Sequence, residues 1–215
     1  MKDRYKFLSG IGCWLLFSLL LVGVVNNSRW TSAIDTWGYQ LTQPTGQTKT
    51  AILTELTFLG DPVTVMLVTV GMMLVLWRRK HPTDSVWYGM LQFIGYCLVI
   101  LVKYGIARTR PTNRLIAVGG YSFPSGHTFS TVIFTVTVLS ILYYLYKQKW
   151  QRVCCTIIGI SWIILIMYSR VYLRAHFSTD VLGGLLLAGG WWLVTAPLRN
   201  YFFHWLRKPI SNRPN

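Results

Sequence analysis

Apolar residues come in long runs along this chain, and short connections rich in Lys and Arg separate them. A helix crossing the roughly 30 Å hydrocarbon core of a bilayer needs about 20 mostly apolar residues. By that rule the chain offers about six crossings: Phe7–Val25, Pro62–Trp77, Val86–Ile106, His127–Tyr146, Val153–Tyr172 and Val181–Ala196. The second is short and the sixth is rich in glycine, so their ends are the least defined. The runs are too long for barrel strands and do not alternate residue by residue. The pattern predicts an all-α, polytopic membrane protein. No internal repeat is visible, and residues 1–215 read as a single membrane domain. The first run follows a basic start, "MKDRYK", as a secretory signal would. Its length and the absence of a small-residue cleavage site in "VGVVNNSRW" favour a retained anchor.

Composition supports this reading. The chain is 53% hydrophobic with a mean hydropathy of +0.42. Its net charge of +15 falls mostly in connections that alternating helices place on one side. These are Lys2, Arg4 and Lys6; Arg78 to Pro82, "RRKHP"; Lys147 to Arg152, "KQKWQR"; and Arg199, Arg207, Lys208 and Arg213. The positive-inside rule makes that side cytoplasmic and puts both termini there. Charge spread over several short loops speaks for topology and anionic headgroups, and against nucleic-acid binding. Cys13, Cys97, Cys154 and Cys155 lie in or beside apolar runs without metal-type spacing, and read as small buried hydrophobes.

The outer side should be poor in cations. Its first loop, Asn26 to Asp61, has only Arg29 and Lys49, and its centre, "SAIDTWGYQLTQ", predicts a short interfacial helix with Trp30 and Trp37 near the headgroups. The other two outer connections break the rule. Lys103, Arg108, Arg110 and Arg114 surround one, and Arg170 and Arg174 the other, with Asp180 as the only acidic residue expected nearby. Such a cluster calls for an anionic ligand; taken singly, each cation also fits snorkelling to lipid headgroups.

Three stretches on that side carry chemistry. In "GGYSFPSGHTFST", Pro124 and Ser125 read as a helix start with Ser125 as the cap. The free first-turn N–H groups and the dipole favour an anion there. Gly126 allows close approach, and His127 sits in the first turn, where it can exchange a proton. In "SRVYLRAHFSTD", His176 and Asp180 are four apart and share a face if the stretch is helical. A carboxylate on one imidazole nitrogen leaves the other free as nucleophile or base. Ser178 or Thr179 reads as a cap. In "KYGIARTRP", Lys103 and Arg110 are seven apart, on one face if the helix continues to Pro111. Their charges suit phosphate oxygens. Each stretch alone also reads as a cap, a surface pair or a basic helix end. Together they place two histidines, one aspartate, several cations and a helix N-terminus on one face. Carboxylates are too few for magnesium, and the cations oppose zinc. Phosphoryl transfer without a metal or cofactor fits best. His81 and His204 fall on the other side, as bystanders.

Lys103 to Arg110 and Pro111, Pro124 to His127, and Ser169 and Arg170 to His176 and Asp180 together resemble the signature of the type-2 phosphatidic acid phosphatase superfamily. These are membrane lipid phosphatases related to vanadium haloperoxidases, with the pattern K-x6-RP, PSGH, SR-x5-H-x3-D. Every signature position is filled, in order, within residues 103–180. The resemblance implies His176 as nucleophile, Asp180 as its orienting partner and His127 as acid and then base. It implies Lys103, Arg110, Arg170, the Ser125 hydroxyl and the Gly126 N–H as phosphate ligands. Arg108, Arg114 and Arg174 lie outside the signature, where a second phosphate or anionic headgroups would engage them. With short outer loops and no separate headgroup domain, the chain is similar to compact bacterial members. The topology puts the site on the extracytoplasmic side of the cell membrane, and the resemblance implies undecaprenyl pyrophosphate or phosphatidylglycerol phosphate as substrate. The alternatives are phosphatidic acid hydrolysis, phosphotransfer to an alcohol, and a non-catalytic lipid transporter or binding protein.

Overall fold

The computed structural model describes residues 2–199 and 202–203. Within them run α1 (Lys2–Val25), α2 (Arg29–Leu41), α3 (Gln47–Phe58), α4 (Pro62–Arg78), α5 (Pro82–Ile106), α6 (Gly126–Leu145), α7 (Lys149–Tyr172) and α8 (Ser178–Thr195). No strand occurs among the described residues. Four helices, α1, α5, α6 and α7, are long and apolar enough to cross a membrane. The pair α3–α4, bent by 42°, makes a fifth if taken as one broken span. α8 covers the last expected run; it is 18 residues long, opens on Ser178, Thr179 and Asp180, and is not among the four. The chain is an all-helical, multi-pass membrane protein.

Its polarity is inverted relative to a water-soluble bundle. Leu15, Leu67 and Ile158 are each about two-thirds exposed, at 67%, 68% and 68%, whereas Thr69, Ser85, Gln92, Thr131 and Thr137 are buried. Lipid tails are as apolar as leucine, so burying leucine between helices gains little; close packing of small residues and local hydrogen bonds take over. α8 shows this best. At Gly190 any Cβ would collide with the Trp14 indole of α1. At Gly184 a Cβ would stand 2.6 Å from the Ser125 carbonyl oxygen and 3.1 Å from Thr128 Cβ. The start of α6 is therefore seated directly on α8, with no room for a side chain. Phe123, fully buried, stacks on Phe17 of α1 with centroids 5.8 Å apart and fixes the segment leading into α6.

The long outer loop expected from the sequence holds two helices. α2 covers the expected interfacial segment and leaves Trp30 and Trp37 exposed. α3 was not expected, since Gln47–Phe58 has no marked apolar stripe. Asp61 starts α4: its Oδ2 accepts from Val63 N–H at 2.9 Å, and Pro62 follows at the first helical position. The ends of α5 and α7 and the starts of α6 and α8 lie together at one end of the bundle. The basic turns around Arg78–Lys80 and Lys147–Lys149 lie at the other. Arg199 pairs with Asp84 there. His204, Arg207, Lys208 and Arg213 lie outside the described residues.

Candidate active site

Lys103 and Arg110 do not share a helix face. α5 stops at Ile106, because Ala107 adopts the left-handed conformation (φ 51°, ψ 34°) and turns the chain away. The connection then folds back on itself. Ser122 N–H donates to the Arg108 carbonyl at 2.8 Å, and the Ser122 hydroxyl to the Thr109 carbonyl at 3.0 Å. Lys103 Nζ donates to the carbonyls of Tyr121 (2.8 Å), Pro124 (3.0 Å) and Ser122 (3.4 Å). Its three N–H bonds thus brace the approach to α6, while its charge stays at the site. Arg110 crosses to the other side. Its Nε donates to Gly119 and Gly120 carbonyls at 3.0 Å each, and its Nη1 to the Ala175 carbonyl at 2.6 Å.

Arg110 Nη1 also lies 3.1 Å from His176 Nε2, and His176 Nδ1 lies 3.3 Å from Asp180 Oδ2. These contacts decide the tautomer. A guanidinium can only donate, so Nε2 must accept and Nδ1 must carry the proton, which it gives to Asp180. His176 precedes α8, in the turn after α7, and Asp180 sits in the first turn of α8. They meet across a helix start, not along a helix face as the four-residue spacing suggests. Neither Ser178 nor Thr179 is the cap. Phe177 holds that position, and Asp180 Oδ2 accepts its N–H at 2.8 Å. Asp180 is 0% exposed and His176 2%. Burial, then the charges of Arg170, Arg110 and Lys103, holds the His176 imidazole well below the usual histidine range. Arg110 is likewise lowered by burial.

Ser125 caps α6 as expected, its Oγ accepting from Thr128 N–H at 3.4 Å. Gly126 N–H and His127 N–H remain first-turn donors without intrahelical acceptors. A Cβ on Gly126 would stand 3.2 Å from the Tyr96 ring. His127 Nε2 lies 3.5 Å from Asp61 Oδ1. Arg170, 1% exposed, donates from Nη1 to Thr57 Oγ1 at 3.1 Å, while its Nε and Nη2 have no partner. Buried guanidinium N–H groups of this kind need an acceptor. They suit a phosphate oxygen. The structure thus brings His127, His176, Asp180, Lys103, Arg110, Arg170, Ser125 and Gly126 to one end of the bundle.

The charges around the site also differ from expectation. Asp180 is not the only acidic residue nearby: Asp35 of α2 and Asp61 also stand at this end, so three of the chain's six carboxylates gather there. The arginines outside the signature are not all available to a ligand either. Arg108 bridges Asp180 and Asp35. Arg174 is 2% exposed, stacks on Tyr39 with its guanidinium 3.4 Å from the ring centroid, and donates to the Tyr39 and Thr42 carbonyls at 3.2 and 3.1 Å. It caps the C-terminal end of α2. Arg114 is exposed and donates to the Val118 carbonyl at 3.1 Å. Asp61 has a local signal in the sequence, since Asp-Pro before an apolar run marks a capped helix start. Among the described residues, no group of three His, Cys, Asp or Glu side chains is arranged to hold a metal ion. The four cysteines are free thiols but not buried as expected, since Cys97 and Cys154 are exposed and Cys13 and Cys155 half-buried on helix faces, and His81 is exposed beside Asp84 at the opposite end.

Comparison with known proteins fits this geometry. The family model described as PAP2 superfamily matches residues 84–204, which include every signature residue. Phosphatidylglycerophosphatase B of Bacillus subtilis is 30% identical over 145 residues, 63% of this chain and 68% of that protein. An undecaprenyl-diphosphatase of Sulfolobus acidocaldarius is 33% identical over 114 residues, 48% of this chain and 50% of that protein, so the match spans only half its length. Among solved structures, the transmembrane PAP2 type phosphatidylglycerolphosphate phosphatase from Bacillus subtilis superposes with a TM-score of 0.74. The match covers 94% of this chain and 98% of that one at 24% identity.

Proposed function

The chain belongs to the PAP2 superfamily and is a membrane lipid phosphatase, and from that premise we propose a metal-independent hydrolysis of lipid phosphate or diphosphate monoesters through a phosphohistidine. The observation that carries it is the His176 imidazole, protonated on Nδ1 toward Asp180 and bare on Nε2 beside Arg110. In the first step the Nε2 lone pair attacks phosphorus and the bond to the lipid oxygen breaks. His127 gives that oxygen its proton. In the second step His127 takes a proton from water, whose oxygen attacks phosphorus. The P–N bond breaks, phosphate leaves, and His176 is restored. Arg110 exchanges its contact with Nε2 for a phosphate oxygen. Arg170 offers its two unpartnered donors, the first-turn N–H of Gly126 and the Ser125 hydroxyl complete the cradle, and Lys103 contributes its charge. Preorganised donors of this kind stabilise charge developing in the transition state.

The bundle crosses the membrane six times as one domain of residues 1–215, with α3–α4 and α8 as the two weaker crossings. Both termini lie in the cytoplasm and the site faces outward, a reading supported by the basic turns at the opposite end. Undecaprenyl pyrophosphate and phosphatidylglycerol phosphate are the two candidate substrates, matching what the similar proteins are named for. Spare arginines no longer argue for the diphosphate, since Arg108 and Arg174 have protein partners. The test is phosphate release by the purified protein in detergent with EDTA present. Both lipids and phosphatidic acid are offered in parallel, beside His176→Ala. Release that survives EDTA and vanishes in the variant is expected, and kcat/KM ranks the lipids. Strict dependence on added magnesium would overturn the mechanism.

A further inference from the structure

Asp180 is itself held. Arg108 Nη1 donates to Asp180 Oδ1 at 2.6 Å and to Thr179 Oγ1 at 2.7 Å, and Nη2 donates to Asp35 Oδ2 at 2.7 Å. Asp35 Oδ1 in turn accepts the Thr179 N–H and the Thr179 hydroxyl, both at 2.8 Å. The carboxylate of α2 therefore supplies the cap that Phe177 lacks at the start of α8. The Arg108 guanidinium also lies 4.2 Å from the centroid of the Phe177 ring. Both groups are largely enclosed, with 19% of the Arg108 side chain and 11% of the Asp35 side chain exposed. The network runs unbroken from Asp35 through Arg108 and Thr179 to Asp180. It ends on the carboxylate oxygen next to the one that faces His176.

We propose that Arg108 and Asp35 are positioning residues for the nucleophile. Arg108 fixes the rotation of the Asp180 carboxylate and keeps it anionic, and Asp35 fixes Arg108. The chain Asp35–Arg108–Asp180–His176 sets the histidine tautomer from α2, a helix outside the signature. Arg174 ties the C-terminal end of α2 to the turn before α8, so the helix is held against this region at Arg174 and at Thr179. The physical need is plain. A buried carboxylate without a cation partner takes up a proton at higher pH or turns to another donor. A neutral Asp180 no longer holds the Nδ1 proton of His176. The other titratable or charged groups near the Asp180–His176 pair are Lys103 of α5, Arg110 of the α5–α6 connection, His127 of α6 and Arg170 of α7. None of them contacts Asp180 as Arg108 does.

This inference rests on the phosphatase reading, and the test separates the two. Full-length protein in detergent is assayed as wild type, Arg108→Gln, Arg108→Lys and Asp35→Asn, for kcat, KM, inhibition by orthophosphate and the pH profile. Arg108→Gln should lower kcat about 10- to 100-fold, a range borrowed from outer-shell partners of other active-site histidines. KM and orthophosphate inhibition should stay within about threefold, as for an interaction made only in the transition state. The acid limb of kcat/KM should move to higher pH. Arg108→Lys, which keeps a charge but cannot span both carboxylates, should recover part of kcat and of the limb. Asp35→Asn keeps an acceptor for Thr179 N–H and should lower kcat less than Arg108→Gln. An unchanged pH profile in Arg108→Gln, or a KM and orthophosphate effect larger than that on kcat, would overturn the positioning role. A wild type that releases no phosphate would overturn the phosphatase reading, and this inference with it.

Discussion

The two histidines of the site each face a carboxylate, yet the surroundings differ. His176 is 2% exposed, its partner Asp180 is 0% exposed, and a guanidinium covers the remaining nitrogen. The side chain of His127 is 14% exposed, and its partner Asp61 34%. The first pair is locked by a turn, a helix start and a third carboxylate from α2. The second hangs from two helix N-termini and touches at 3.5 Å. A nucleophile gains from one tautomer, one orientation and no water. A group that must give a proton to a leaving lipid and then take one from water needs access to both. The contrast matches the roles proposed for each.

Replacing His176 by Ala breaks the comparison most completely. Phosphate release should fall by about 10⁴-fold or more, the scale seen when a covalent nucleophile is lost. His127→Ala should cost about 10²- to 10⁴-fold on a lipid substrate. It should cost far less in the first step on p-nitrophenyl phosphate, whose leaving group needs no proton. Phosphohistidine should then build up, because no base activates water. A burst of nitrophenolate followed by a slow phase is the measurement. Equal losses on both substrates would put His127 in phosphate binding instead.

Much of this site was legible in the sequence because its chemistry is written in short fixed spacings. Ser125, Gly126 and His127 are consecutive, and His176 and Asp180 span less than two turns. What was missed joins distant parts of the chain. Asp35 reaches Thr179 across 144 positions and Arg108 across 73. No local pattern marks such a pair, only the scarcity of acidic residues in a strongly basic chain. The end of α5 was missed for another reason: Ala107 takes a left-handed conformation usually signalled by Gly or Asn. Spacing alone therefore continued the helix to Pro111. The outline of the fold was easier, since lipid-facing runs announce themselves. α8 was the least clear, because its glycines serve packing against α1 and α6 instead of apolarity.

The lowered His176 imidazole sharpens the comparison through pH. An ordinary histidine with a pKa of about 6.5 is about 90% protonated at pH 5.5 and would cost about tenfold in rate. Burial and three nearby cations hold the His176 imidazole well below that ordinary range. The acid limb of kcat/KM should thus begin below pH 6.5, and the loss at pH 5.5 should be smaller than the roughly tenfold loss of an ordinary histidine. Stability follows the same sign. Below pH 6.5 the unfolded chain binds a proton that the folded His176 does not, so this group makes the fold less stable as pH falls and has no effect above that range. Thermal unfolding in detergent from pH 5 to 8 checks it.

The smallest expected effect tests the looser pair. Asp61→Asn keeps an acceptor for the Val63 N–H, so the start of α4 should persist and the variant should fold. What it removes is the negative charge beside His127. A partly exposed pair at 3.5 Å, charged only while His127 holds its proton, is worth about 1 kcal/mol or less, and 1.36 kcal/mol is a factor of ten in rate. The expected loss in kcat is therefore under about tenfold, well below that of His127→Ala. It should shrink further on p-nitrophenyl phosphate, as the His127 effect does, if Asp61 acts by orienting the acid. An Asp61→Asn loss as large as that of His127→Ala would mean that the second histidine depends on its carboxylate as fully as the first. The two regions would then be variants of one design, not a locked nucleophile and an accessible proton carrier.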